Sequence, residues 1–196
     1  MKSPGIGTWV TNKIELVGPA CTAKVPISDI KSVILVIRTG GPRAVCIPRI
    51  SQAGRIAGDA GLLACFEIEP PFVFNKEAHY LRILRGANHP SLKGIYDPSH
   101  FDLMTGSTGK QEEMLLRVGV ENIGYVQFCD TDGTLRDGGT SKHPACGDGH
   151  VDCAKSLKLF RDGGFRGWIM VDEWEVPDPY DACIRCKRAL DQAGSA

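Results

Sequence analysis

Between Ser32 and Glu173 an apolar run, a polar or glycine-bearing turn and an amphipathic stretch follow one another five times. The runs are Ser32-Val33-Ile34-Leu35-Val36-Ile37, Leu62-Leu63-Ala64-Cys65-Phe66-Glu67-Ile68-Glu69, Lys93-Gly94-Ile95-Tyr96-Asp97, Ile123-Gly124-Tyr125-Val126-Gln127-Phe128-Cys129-Asp130 and Gly167-Trp168-Ile169-Met170-Val171-Asp172. Near-continuous apolar runs suit strands buried on both faces, whereas a half-exposed strand alternates. The stretches between them carry helix signals. Asn75 reads as the N-cap of a helix that holds Ala78, Leu81 and Leu84 and closes at Gly86. Met114, Leu115 and Val118 give a second apolar face that stops at Gly119, and Val151, Ala154, Leu157 and Phe160 give a third that stops at Gly163-Gly164. Asp178-Pro179 places an N-cap and a first-turn proline at the start of the last helix, whose inner face is Cys183, Cys186 and Leu190. Ile50 to Ala60 predicts a weaker helix, because Gly54 and Gly58 both lower the propensity. Strand and helix in strict alternation predict an α/β fold of parallel βα units. The residues before Ser32, rich in Pro and Gly, fit no such unit, so 1–31 stands as an unassigned segment before a single domain over 32–196.

Composition narrows the partners. A chain of 196 residues can bury one substantial core, and 23 basic residues against 23 acidic ones leave no broad field for nucleic acid or an anionic membrane. No apolar run approaches the roughly 18 to 20 residues of a membrane span, and the start, Met1-Lys2-Ser3-Pro4-Gly5, has no signal-peptide core. The expectation is a cytoplasmic protein. Its eight cysteines are scattered, with Cys65, Cys129 and Cys153 inside predicted elements, so they read mostly as reduced core residues. Cys183 and Cys186 form a C-x-x-C with no second pair and no histidine nearby in sequence, which reads as one face of the terminal helix rather than as a zinc or redox motif.

The strand ends carry the candidate chemistry. Glu69 closes its run, and Pro70-Pro71, which cannot donate to a sheet ladder, ends the strand there. Asp97 ends the next run, with His100 three residues on in Asp97-Pro98-Ser99-His100. Gln127 and Asp130 end the fourth, and Asp172 and Glu173 the fifth. In a parallel sheet these ends lie on one side, so residues far apart in sequence converge. Oxygen ligands with one or two imidazole or amide groups suit Mn²⁺, Mg²⁺ or a similar divalent ion. A metal on adjacent hydroxyl and carbonyl oxygens would stabilise an enediolate, and a carboxylate beside it could move the proton. The plainer alternative is that a strand-end Asp caps the next helix. One such site is explained as well by the cap; four in series are not, because caps do not favour carboxylates at the strand terminus itself.

These residues resemble the sugar phosphate isomerase/epimerase group of the xylose isomerase-like TIM barrels. The resemblance runs from about Leu62 to the C-terminus. It rests on Phe66-Glu67-Ile68-Glu69-Pro70-Pro71-Phe72, Tyr96-Asp97-Pro98-Ser99-His100-Phe101, the run Ile123 to Asp130, Gly147-Asp148-Gly149 and Gly164-Phe165-Arg166-Gly167-Trp168-Ile169. It implies a divalent metal (Mn, Mg, Co or Zn) held by Glu69, Asp97, Gln127 and Asp172, with Glu69 and Asp172 exchanging the proton. His100 matches the histidine of the family's D-x-x-H turn and is expected to bind substrate. Two positions depart from the pattern: Gln127 stands where the family has a histidine, and Asp172 is one methylene shorter than the family's glutamate. Glu173, next door, should face the other way in a strand.

The loop after Gln127 offers further substrate contacts in Asp130, Arg136, Lys142 and His143, with Asp132 and His150 nearby and glycines at 138, 139, 147 and 149 that would let it close. A loop of this length is usually functional or disordered. A full (β/α)8 barrel takes about 250 residues, so the fold class implied is a parallel (β/α) TIM-barrel type truncated to about the last five βα units. Its open edge is expected to be covered by a homo-oligomer partner. The leading reading is a metal-dependent sugar or sugar phosphate isomerase or epimerase acting on a small carbohydrate. The alternative is a non-catalytic carbohydrate-binding or scaffold remnant. A related metal-dependent endonuclease needs a multi-histidine zinc site, to which five histidines and no basic surface are a poor match.

Overall fold

All five apolar runs form strands of one sheet. The computed structural model describes residues 7–9, 14–15, 22–23, 32–36, 43–69, 74–107, 109–136, 139–173 and 176–195. Their elements, in chain order, are β1 (Gly7–Trp9), β2 (Ile14–Glu15), β3 (Thr22–Ala23), β4 (Ser32–Val36), α1 (Arg43–Asp59), β5 (Leu63–Glu67), α2 (Glu77–Ala87), β6 (Leu92–Tyr96), α3 (Pro98–Met104), α4 (Gln111–Val118), a 3-10 turn (Val120–Asn122), β7 (Ile123–Phe128), α5 (Cys153–Asp162), β8 (Trp168–Val171) and α6 (Pro179–Ser195). The sheet order is β1-β4-β5-β6-β7-β8, with β4 to β8 mutually parallel and β1 antiparallel on β4. β2 and β3 pair separately. The run of neighbours in sequence order, each joined through helical structure, is a segment of a βα barrel wall. Most of 1–31, and Pro70-Pro71 after Glu69, lie outside the described residues.

Side chains alternate across this wall. One row packs under the helices: Phe66 meets Tyr80 of α2 at 4.8 Å between ring centroids, Tyr80 meets Phe101 at 5.2 Å, and Tyr96 meets Phe101 and Phe160 at 4.9 and 5.1 Å. The opposite row carries Cys65 and Glu67 on β5, Ile95 on β6, Tyr125 and Gln127 on β7 and Met170 on β8; the Tyr125 hydroxyl lies 3.2 Å from Met170 Sδ. Trp168 shares that inner row with Met170, yet is 56% exposed, because no described strand pairs on the far side of β8. No helix among the described residues is long and apolar enough to cross a membrane.

The helices sit close to their predicted places, with informative differences. Lys76, not Asn75, occupies the N-cap position of α2 and makes no side-chain cap, while the Asn75 backbone N–H donates to His79 Nδ1 at 3.2 Å. That helix ends at Asn88 with a left-handed φ of 39°, two residues beyond Gly86. Gly86 instead marks close packing, since a Cβ there would stand 2.9 Å from Ile47 Cγ2. The buried face of α2 is Tyr80 and Ile83, and Ala78 is exposed. The glycines of α1 have the same explanation: a Cβ at Gly54 would stand 3.0 Å from Leu92 Cβ, and one at Gly58 would stand 2.7 Å from Ser91 Oγ. Their low propensity is outweighed by close packing on the edge of β6. The Asp178-Pro179 start holds, with Asp178 Oδ1 accepting from Asp181 N at 3.0 Å.

One cysteine reading is corrected. Cys146 and Cys186 are joined in a disulfide spanning 40 residues, whereas Cys65, Cys129, Cys153 and Cys183 are outside any disulfide. The loop after β7 folds back onto α6 and brings Cys146 to Cys186, a long-range approach that no sequence spacing announces. The nearby Cys183 of the C-x-x-C takes no part in the bond.

The aromatic row depends on one glycine. A Cβ at Gly94 would collide with the Tyr80 ring, whose hydroxyl donates to the Ile95 carbonyl at 2.8 Å. Gly94→Ala is expected to lower stability by about 2 to 3 kcal/mol, from overpacking plus the displaced hydrogen bond. Urea unfolding measures it, and a loss below about 0.5 kcal/mol would show that the ring can move aside.

Candidate metal centre

Asp97 follows β6 and does two things at once. Its Oδ1 accepts from Ser99 N at 2.8 Å, from Ser99 Oγ at 2.6 Å and from His100 N at 3.2 Å, which caps α3. Pro98 at the first helical position needs no donor there. Oδ2 is buried and accepts no hydrogen bond. It lies 3.5 Å from His100 Nε2 and 3.6 Å from His143 Nε2.

The two imidazoles come from different elements, His100 from the first turn of α3 and His143 from the loop after β7. Ser141 joins them: its Oγ lies 2.7 Å from His100 Nδ1 and 3.0 Å from His143 Nε2, and 2.8 Å from Ser99 Oγ. His100 Nε2 also faces Glu69 Oε2 at 3.1 Å and Glu67 Oε1 at 3.5 Å, and Thr140 Oγ1 donates to Glu69 Oε2 at 3.1 Å. His143 Nδ1 lies 3.2 Å from Asp172 Oδ2. Glu69, Asp97, His100, His143 and Asp172 thus form one connected cluster at the carboxyl ends of β5, β6 and β8. The potential ligand atoms of Asp97, His100 and His143 all fall within 4.8 Å of one another.

The electrostatics follow from a buried excess of carboxylates. Burial alone would lower the basicity of His100, but Asp97, Glu67 and Glu69 reverse that and hold its pKa well above the ordinary 6.5. His143 is likewise opposed by burial and raised overall by Asp97 and Asp172, with His100 working against it. Burial would raise Asp97, yet His100, His143 and the Ser99 and His100 donors bring it below 3.8. Glu67 is pushed up, first by burial and then by Asp97 and Glu69, against the lowering effect of His100.

Other expected site residues have other surroundings. Gln127 shares the inner row of β7, and its Oε1 is buried without a hydrogen bond. Asp130 is fully buried, with Oδ1 accepting from Thr131 N at 2.8 Å and Val151 N at 2.9 Å, and Oδ2 from Gly147 N at 2.8 Å and Gly149 N at 3.0 Å. Four backbone donors engage both oxygens, so this carboxylate anchors the loop. Lys142 is exposed and lies 3.7 Å from Asp132, and Arg136 is half-buried at the foot of the same loop. Residues 137–138, including Gly138, lie outside the described residues. Glu173 faces away from the cluster, toward α6, as strand alternation requires. Glu67, Ser99, Thr140 and Ser141 belong to the cluster without having been singled out by sequence. Only Glu67 carried a signal, its spacing of two from Glu69, which puts both on one face.

The residues fit a divalent cation on two observations: Asp97 Oδ2 and Gln127 Oε1 are buried oxygens with no hydrogen bond, and the donor set mixes carboxylates with imidazoles. Comparisons with known proteins agree with the fold. A family model described as xylose isomerase-like TIM barrel matches residues 40–190. No curated protein sequence matches significantly. Among solved structures, the IOLI protein with a zinc atom superposes with a TM-score of 0.64 at 20% identity, over 84% of this chain and 63% of that one. A xylose isomerase-like TIM barrel protein from Mycobacterium smegmatis in complex with magnesium gives 0.68 at 12% identity, over 84% and 61%. The 3-keto-D-glucoside 4-epimerase of E. coli gives 0.61 at 14% identity, over 85% and 64%. The chain spans less than two thirds of the length of these structures.

Two pH effects are expected for the metal-free protein. Asp97 has a depressed folded pKa, so its contribution is present above the ordinary carboxylate range and is lost as pH falls through the folded value. His100 has a raised one, so its contribution is present below the ordinary histidine value and is lost as pH rises through the folded value. Asp97→Asn removes the partner of both imidazoles and should shift the alkaline loss to lower pH. Urea midpoints against pH test this, and an unchanged alkaline limb would rule out Asp97 as the partner that charges His100.

Proposed function

The chain belongs to the xylose isomerase-like TIM-barrel family, and on that premise we propose that it is a divalent-metal-dependent isomerase or epimerase of a small sugar or sugar phosphate. The observation that carries this reading is the cluster of Glu69, Asp97, His100, His143 and Asp172, connected through the two imidazoles, with a buried Asp97 oxygen that accepts no hydrogen bond. Glu69, Asp97 and Asp172 would hold the ion with the Gln127 side-chain oxygen. His143 supplies the imidazole that β7 lacks at Gln127. Zinc and magnesium accompany two of the structural neighbours, and manganese or cobalt suits the same donors. A bound divalent ion polarises a substrate carbonyl and acidifies the adjacent C–H.

The proton itself is work for this chain's own groups. Glu69 and Asp172 lie at the ends of different strands, and exchange of a proton between two such carboxylates through a substrate carbon is the chemistry of epimerisation. Thr140 orients Glu69, and the Asp172 carboxylate is held by His143. His100, set by Ser141, would bind a sugar hydroxyl, and Arg136 and Lys142 could meet an anionic or hydroxyl group from the loop. Support for a carbohydrate comes from neighbours described as D-tagatose 3-epimerase-like and as 3-keto-D-glucoside 4-epimerase. A second reading, a carbohydrate-binding or scaffold barrel without turnover, draws support from the glutamine at position 127 and from the exposed inner-row Trp168, which a second copy of the chain would cover.

Calorimetry with Mn²⁺ should show one ion bound in the micromolar to millimolar range. Glu69→Gln and Asp97→Asn should each weaken binding by about 10- to 100-fold or more, the effect of losing even a supporting partner. Because His100 and His143 hold protons above the usual range, binding should release protons and tighten as pH rises. If no ion binds in that range, the catalytic reading fails. Exchange of solvent deuterium into ketohexoses then separates the readings: an epimerase exchanges the carbon-bound proton and loses this in Glu69→Gln, whereas a binder never does.

A further inference from the structure

On the opposite side of the wall, three ligand-type atoms converge from three elements. Cys146 lies in the loop after β7, Glu173 is the second residue after β8, and Cys186 is the eighth residue of α6; their sulfur and carboxylate atoms fall within 4.8 Å of one another. Both sulfurs are buried. Glu173 Oε1 stands 2.8 Å from Cys186 Sγ, and its Oε2 is buried without a hydrogen bond. In the disulfide state this is a poor fit, since a half-cystine has no S–H to offer the carboxylate. A buried acceptor without a donor is costly. The nearest cation does not resolve it: Arg185 is held by Asp148 at 2.6 and 2.7 Å and by Asp181 at 3.0 Å. The surroundings, with Asp130 and Asp172 also nearby, are therefore short of positive charge.

We propose that Cys146, Cys186 and Glu173 form a second metal site, separate from the Asp97 cluster, that takes a thiophilic divalent ion such as zinc when the disulfide is reduced. A dithiol or phosphine reductant gives two electrons to the Cys146–Cys186 bond and is itself oxidised, and each sulfur takes up one proton. On binding, the two thiol protons leave to solvent and two thiolates and one carboxylate ligate the ion. Three protein ligands leave a fourth, tetrahedral position for water. Zinc–sulfur bonds of about 2.3 Å require the two sulfurs to part, which reduction permits and the disulfide forbids. The ion and the cystine are thus alternative occupants of one space, and either one ties the loop that carries His143 to α6. Glu173 gains in the metal state the positive partner that it lacks in the oxidised one.

Cobalt(II) is the probe, because thiolate ligation gives an intense near-ultraviolet charge-transfer band that an oxygen and imidazole site does not. The full chain, reduced with a phosphine under anaerobic conditions, should develop this band with one equivalent of Co²⁺ and lose it on addition of Zn²⁺. The oxidised chain should show none. Cys146→Ser and Cys186→Ser should each abolish the two-thiolate band. Glu173→Gln, which keeps both sulfurs and the side-chain volume, should weaken cobalt binding at least about tenfold. Glu69→Gln and Asp97→Asn should leave the band intact, which separates this site from the proposed catalytic one. No band in the reduced wild type, a band in the oxidised one, or wild-type affinity in Glu173→Gln overturns the proposal.

Discussion

A single buried carboxylate, Asp97, sets the terms for the rest of the site. One oxygen completes the cap of α3 and the other is left facing two imidazoles in a region closed to water. An unpaired ion in such a place costs several kcal/mol, so the carboxylate is stable only with cationic partners or a metal beside it. That requirement explains why His100 and His143 hold their protons so firmly in the absence of an ion. It also explains why Ser141 bridges both rings, since fixing the imidazoles fixes the charge that Asp97 needs. Cap and ligand are therefore not competing explanations of a strand-end aspartate. Two oxygens allow one residue to be both.

The second constraint is the two-residue period of the strand. It sends Asp172 to the inner side, against His143, and Glu173 to the helix side, so neighbours in sequence serve two separate clusters. The same period pairs Glu67 with Glu69 on the inner row and puts Phe66 beneath α2. Helix-side packing is dominated by aromatic rings, which need room. Gly54, Gly58, Gly86 and Gly94 each lie where a Cβ would press on a neighbouring element.

Much of this was legible from residues alone, for a definite reason. The five strands, their parallel order and the acids at their ends follow from long apolar runs and from proline or glycine at the boundaries, all of which are local signals. Helix faces were less legible: α2 starts at Glu77 because the Lys76 backbone, rather than the Asn75 side chain, makes the turn. Long-range approaches were not legible at all. Ser141 meeting His100 and Cys146 meeting Cys186 depend on how a loop of many residues returns to the sheet, and no spacing rule encodes that. Asp130 shows the same limit from the other side, because a charged residue in a polar loop gave no hint that four backbone amides would enclose it.

Asp130 also bears on the departure at Gln127. A ligand on a strand is held by the sheet, whereas one on a loop is only as precise as the loop. His143 is a loop residue, yet its segment is pinned at several points. The Asp130 carboxylate gathers Gly147, Gly149 and Val151, and the Asp130 N–H donates to the Pro144 carbonyl at 3.0 Å. Ser141 and Asp172 grip the ring from two sides, and Cys146, three residues on, is bonded to α6. On the proposed reading, the imidazole that β7 lacks comes from a loop, which requires the loop to be nearly as stiff as the strand. The cluster of anchors between Asp130 and Val151 meets that condition.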